Sequence, residues 1–279
     1  MTSIRLAHSP DSDDAFMFYA LAAGKIPTGQ RMYEHELADI ETLNRRALNQ
    51  ELDVTAVSIH AYAHLADSYA LLSHGASMGD RYGPRLVSRR PPPDDPRNAS
   101  RGLRIAIPGP LTTATLALRL YQPDFVPLVM PFDEIEGALA GGKADAGILI
   151  HEGQLTFRDH GLYLWVDMGE WWFEETQLPL PLGGNAIRRE LGDALMRDVS
   201  RDLKASIEYG LAHRDEALNY AMEFARGLDR QQADEFVGMY VNAYTVDYGD
   251  TGRRAVRTLL SRGVDAGLVP PLARDPFFE

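Results

Sequence analysis

Short apolar runs alternate with amphipathic segments along the first two-thirds of the chain, the rhythm of an α/β protein. Residues 4–7, 32–37, 54–59, 69–73 and 85–88 read as strands. Between them, residues 13–24, 40–49 and 60–66 read as helices, the first opening on carboxylates and closing on Gly24. The rhythm breaks at 89–98, a polar, proline-rich stretch of the kind that forms connectors or exposed loops. It restarts with strands at 103–107, 126–131, 146–150 and 162–166 and helices at 112–121 and 133–140. From residue 192 onward the pattern is helical, with candidates at 192–212, 214–227, 230–244 and 252–267.

Two connectors, 91–101 and 178–184, flank the second α/β block. A chain that leaves one lobe and returns to it is the expectation. Residues 1–90 and 185–279 form a large discontinuous lobe, and 100–180 a small one. Such a molecule holds its ligand in a cleft between lobes and closes by a hinge.

Composition narrows the partner. Asp and Glu number 40 against 28 Lys and Arg, a net charge of −12, which repels phosphate backbones and anionic lipid. The expected partner is a small-molecule substrate, with neither nucleic acid nor membrane. There is no cysteine, so thiolate nucleophiles, Cys-ligated zinc and iron–sulfur clusters are out. Asp11, Asp13 and Asp14 stand where the apolar run of a secretory leader would lie, and a cytoplasmic location is expected. Walker, Gly-x-Gly-x-x-Gly and Gly-x-Ser-x-Gly motifs are missing, so nucleotide and serine-hydrolase readings lack support.

Candidate chemistry gathers at strand ends. Pro108-Gly109-Pro110-Leu111-Thr112-Thr113-Ala114 joins a strand to a helix, where free amides and Thr112 and Thr113 hydroxyls suit a carboxylate or phosphate. The plainer alternative is that Thr112 only caps the helix. Ser9 and Ser58 also follow strands. His151-Glu152 ends an apolar strand, and a neutral imidazole there suits proton abstraction near pH 7 without a large pKa shift. Most lone histidines at strand ends are only hydrogen-bonded. His60 and His64 share a helical face at metal-binding spacing but lack a third ligand, so no metal is expected. Asp11, Asp13 and Asp14 read as carboxylates favoured by a helix N-terminus rather than as a cation site. Of Trp171, Trp172 and Phe173, one or two are expected to pack in the core or line the cleft.

Several blocks occur together in order. They are Ser9-Pro10 with Asp13-Asp14, Ile40-Glu41-Thr42-Leu43-Asn44, Val57-Ser58-Ile59-His60-Ala61-Tyr62, Pro108-Gly109 with Thr112-Thr113-Ala114, Gly147-Ile148-Leu149-Ile150-His151-Glu152 and Leu178-Pro179-Leu180-Pro181-Leu182-Gly183. This series resembles the 1,4-dihydroxy-6-naphthoate synthases of the futalosine route to menaquinone, and the likeness extends to Tyr240-Val241-Asn242-Ala243-Tyr244. Where some members read Ser-Pro-Cys-Pro-Asn-Asp, this chain has the acidic version Ser9-Pro10-Asp11-Ser12-Asp13-Asp14.

The resemblance implies a two-lobed α/β fold of the periplasmic-binding-protein type II kind, with a helical C-terminal part. It implies a carbon–carbon lyase that needs no cofactor and turns cyclic dehypoxanthinyl futalosine into 1,4-dihydroxy-6-naphthoate. His151 would be the proton acceptor, and Val57, Ser58, Thr112 and Thr113 would contact substrate. Ser9 and Glu152, which follow strands of their own, are expected to bind substrate with them. The competing readings are a solute receptor, the chorismate-dehydrating enzyme of the same fold, and a lyase for a related aromatic acid.

Overall fold

Val54–Ser58 is buried at every position, as a strand covered on both faces must be. The computed structural model describes residues 1–225 and 227–278 and places this strand at the centre of a sheet. The chain opens with β1 (Thr2–His8), α1 (Ser12–Ala22), β2 (Arg31–Leu37), α2 (Ile40–Leu48) and β3 (Val54–Ser58). A one-turn helix α3 (Ile59–Tyr62) leads into β4 (Tyr69–Leu71) and β5 (Ser77–Gly79).

The second block holds β6 (Arg85–Ser88), α4 (Pro96–Ala99), β7 (Arg104–Ile107), α5 (Thr113–Tyr121) and β8 (Val126–Val129). It continues with α6 (Ile135–Ala140), β9 (Ala146–Leu149), α7 (Gly153–Thr156), β10 (Tyr163–Asp167) and α8 (Met168–Thr176). Then β11 (Leu180–Arg188) precedes α9 (Asp193–Ala212), α10 (Arg214–Ala221), α11 (Arg230–Tyr240), α12 (Ala243–Val246) and α13 (Gly249–Asp265). No helix among the described residues is long and apolar enough to cross a membrane.

The strands form two sheets. The first has the order β2-β1-β3-β11-β4, with β5 paired to β11. The second has the order β10-β6-β9-β7-β8. Residues 80–84 and 177–179 therefore carry the chain between sheets.

The first of these crossings differs from the expected 91–101. Arg85–Ser88 pairs antiparallel with both β9 and β10, so it belongs to the second sheet. The proline-rich stretch after it is an exposed loop within the second lobe. Of the expected connector 178–184, residues from Leu180 onward are already strand, with a register shift at Pro181–Gly183. The helix expected at 214–227 stops at Ala221 and gives way to a 3-10 turn at Met222–Phe224. Arg226 in that range, and Glu279 at the end of the expected large lobe, lie outside the described residues.

α1 carries apolar residues on all sides and is buried nearly throughout, wrapped by α9, α10 and α11. That burial takes the polar first turn of the helix inward as well. The first crossing packs against the start of α8 at the carbonyl of Tyr82. A Cβ on Gly169 would lie 1.9 Å from that oxygen. Gly169→Ala should therefore cost about 1–3 kcal/mol, the usual result of overpacking against backbone. Thermal unfolding by circular dichroism should show a Tm lower by several degrees, and an unchanged Tm would refute this packing.

Candidate active site

Between the sheets lies a cavity lined by residues of both. Ser9, Val57, Ser58, Thr112, Thr113 and His151 all line it. Glu152 is buried but does not line it. None of Trp171, Trp172 and Phe173 lines it either. Trp172 packs in the core and donates its indole N–H to Pro179 O at 3.1 Å.

His151 stands in the turn from β9 to α7 with φ of 54°, a left-handed conformation that a side-chain-bearing residue adopts only when held there. Its carbonyl accepts from Gln154 N at 3.1 Å. The Gln154 amide meets the Tyr240 hydroxyl at 2.7 Å. Turned so that its nitrogen donates to Gly83 O at 2.7 Å, that amide accepts the His151 backbone N–H at 3.2 Å. The strained turn is thereby fixed from both sides, with α11 supplying the anchor. The Phe132 ring packs edge-on against the imidazole at 4.8 Å between centroids.

His151 Nδ1 lies 3.0 Å from Asp11 Oδ2. The Ser9 hydroxyl donates to the same carboxylate oxygen, and Ser9 N–H donates to Asp14 Oδ2 at 2.8 Å. Asp11 occupies the N-cap position of α1 but makes no side-chain cap; its carboxylate turns to the imidazole instead. Four carboxyl groups thus surround one imidazole: Asp11, Asp13, Asp14 and Glu152.

Their pKa values respond to burial and to each other. For His151, burial lowers the pKa, but the charge and hydrogen bond of Asp11, helped by Glu152 and Asp13, raise it to about 9. The imidazole without ligand is thus ion-paired and protonated at pH 7, not the unshifted neutral group expected from sequence. Burial raises Asp13 well above the usual carboxylate range, and the charges of Asp14 and Asp11 add to this. Burial likewise raises Asp14 to about 6, against the pull of the Ser9 N–H.

The opposite wall is built on hydrogen-bond donors. Buried Asn44 accepts Ser58 N–H at 2.9 Å and donates to Ser58 Oγ at 3.1 Å, which leaves the serine's own hydrogen for a ligand. Sequence reasoning gave Asn44 no role, although it lies in a recognised block. Thr112 caps α5, accepting from Thr115 N at 3.3 Å, as in the plainer alternative. The Thr113 hydroxyl donates to Leu182 O at 2.6 Å and accepts His60 N–H at 3.2 Å. Both threonine hydroxyls are therefore engaged within the chain. The amides of Thr113 and Ala114, in the first turn of α5, have no acceptor among the described residues. His60 Nδ1 meets Thr112 O at 3.1 Å, and no cluster of three metal-ligating side chains occurs among the described residues.

Comparison with known proteins places this geometry. The family model for menaquinone biosynthesis matches residues 4–265. A Thermus thermophilus protein named 1,4-dihydroxy-6-naphtoate synthase is 41% identical over 99% of this chain and 100% of its own. A Streptomyces coelicolor protein of the same name is 38% identical over 98% and 97%. A crystal structure from Archaeoglobus fulgidus superposes with a TM-score of 0.91 at 48% identity, covering 96% of this chain and 98% of that one. A Candida albicans protein with the generic periplasmic-binding-protein fold superposes with a TM-score of 0.70 at 13% identity, over 100% and 98%, which shows the fold alone. The chain has that two-lobed fold, and it belongs to the menaquinone-biosynthesis family.

Proposed function

We propose that this protein is a 1,4-dihydroxy-6-naphthoate synthase. Cyclic dehypoxanthinyl futalosine is the substrate, and His151 is the proton acceptor. The observation that carries the reading is the Asp11–His151 pair on the cavity wall. Asp11 holds Nδ1, so the proton that comes and goes is on Nε2. The substrate carboxylate sits at the donor wall, against Ser58 and the amides of Thr113 and Ala114. Val57, Thr112 and Thr113 complete that wall, and Ser9 orients Asp11. Glu152 acts through charge, raising the imidazole's proton affinity from outside the cavity.

The chemistry fits a base in this place. Each hydroxyl of the product is the enol of a ring ketone. His151 removes the proton of a hydroxyl on the sugar-derived ring. The O–H electron pair becomes a carbonyl, the neighbouring carbon–carbon bond breaks, and its pair enters the ring that becomes aromatic.

A solute receptor is disfavoured by the site itself. Four carboxyl groups around one imidazole serve no purpose in merely holding an anion. Incubation of the pure protein with cyclic dehypoxanthinyl futalosine, followed by mass spectrometry, should show the naphthoate. Lack of product would refute the assignment.

His151→Asn should lower turnover by about 100-fold or more, the usual worth of a positioned base, with much less effect on binding. Glu152→Gln should stay within about tenfold of wild type, since its side chain does not reach the cavity. Single-turnover kinetics of both variants decide the matter. Near-normal turnover in the His variant with collapse in the Glu variant would make Glu152 the base.

Thr113→Val keeps shape but leaves Leu182 O and His60 N–H, both in the other lobe, without their partner. At about 1–3 kcal/mol for stranded buried groups, product affinity by calorimetry should fall by roughly tenfold. Unaltered affinity would remove this bridge from the closed state.

A further inference from the structure

Among the carboxyl groups around His151, Asp13 differs in one respect. Asp11 is bonded to His151 and Ser9, and Asp14 to the Ser9 amide. Asp13 is only 8% exposed, lines the cavity, and has no hydrogen-bond partner among the described residues. A buried carboxylate in that position would face three like charges, with only the shared charge of His151 to offset them. On its own turn it faces Asp11 and Asp14, on the β9–α7 turn His151 and Glu152, and on α11 Tyr240. Of these only His151 carries positive charge, and that charge is already bonded to Asp11. A protonated Asp13 on the cavity wall presents a donor to an acceptor on the ligand.

We propose that Asp13 is a second catalytic residue, a carboxylic acid that delivers a proton to the substrate oxygen on which charge develops while His151 removes a proton elsewhere. The inference deepens the synthase reading and rests on it. The step balances as follows. His151 Nε2 takes the hydroxyl proton. The O–H pair forms the new carbonyl, the carbon–carbon pair becomes the carbon–carbon double bond of an enol, and the π pair of the ring carbonyl moves to its oxygen. That oxygen takes the Asp13 proton. A neutral imidazole and a neutral acid become an imidazolium and a carboxylate. A proton passing from one to the other through water resets the site. The raised proton affinity of Asp13, caused first by burial and then by Asp14 and Asp11, is what such a role requires.

Asp13→Asn keeps the shape and a hydrogen-bond donor but has no proton to give. With wild type run beside it on the same substrate, kcat should fall by about 100-fold or more, with KM within threefold. The wild-type pH profile should rise as His151 loses its proton near 9 and fall as Asp13, whose proton affinity burial raises, ionises. The falling limb should vanish in the variant. Because the native carboxyl is neutral, the variant's Tm should stay within a few degrees of wild type. A kcat within threefold of wild type, a retained falling limb, or a Tm collapse showing that the site needs the charge would each overturn the proposal. Wild type that makes no naphthoate would instead refute the synthase reading, and this inference would fall with it.

Discussion

The site depends on an ion pair forced by packing. α1 is apolar on all sides and fits only between the first sheet and the C-terminal helices. Its first turn is thereby pushed into the space between lobes, carrying Asp13 and Asp14 and bringing Asp11 beside it. Unpaired carboxylates there would be severely destabilising. The helix N-terminus offsets part of that cost. His151, presented by the other lobe, offsets more through its 3.0 Å contact with Asp11. Buried ion pairs of this kind contribute little net stability, because desolvation takes back most of the Coulombic gain. What they set is protonation, the property on which the proposed function depends.

The same contact joins the lobes. His151 and Gln154 come from the second lobe, while Asp11 and Tyr240 come from the first. Thr113 with Leu182 and His60, and Glu41 with the Leu111 amide at 3.1 Å, bridge the lobes on the donor side. The wall that carries His151 and the wall that carries Ser58 and Thr113 are thus each assembled from both lobes. A ligand that fills the cavity shields both sets of bonds from water, which strengthens them. Under the proposed function, the arrangement couples substrate binding to the formation of the acid–base site.

Much of this was legible in the chain. The βα rhythm marked the strands and helices of the first block, and the abrupt end of an apolar strand singled out His151 as the candidate base. The first crossing between lobes was not. Asp80-Arg81-Tyr82-Gly83-Pro84 is short and ordinary in composition, whereas the proline run after Ser88 advertises a boundary but is only a loop. The role of Asn44 was hidden because an amide inside an amphipathic helix reads as surface until its neighbour across the fold is known. Asp13 and Asp14 were read as carboxylates favoured by a helix N-terminus, and their burial was missed. Yet a helix with no polar face has no solvated end facing its own sheet, and the run from Ala15 to Ala23 carried that signal. The shift of His151 could not be read at all, because its cause lies 140 residues away in Asp11.

The central claim is that Asp11, against the cost of burial, makes His151 a strong base. Nitrogen-15 NMR titration of the histidine rings, in wild type and in Asp11→Asn, measures this directly. The account predicts an imidazole that titrates near 9 in wild type and falls below its ordinary value of 6.5 in the variant, where burial acts with less opposition. A wild-type imidazole titrating at or below 6.5, or one that Asp11→Asn leaves unmoved, would contradict it.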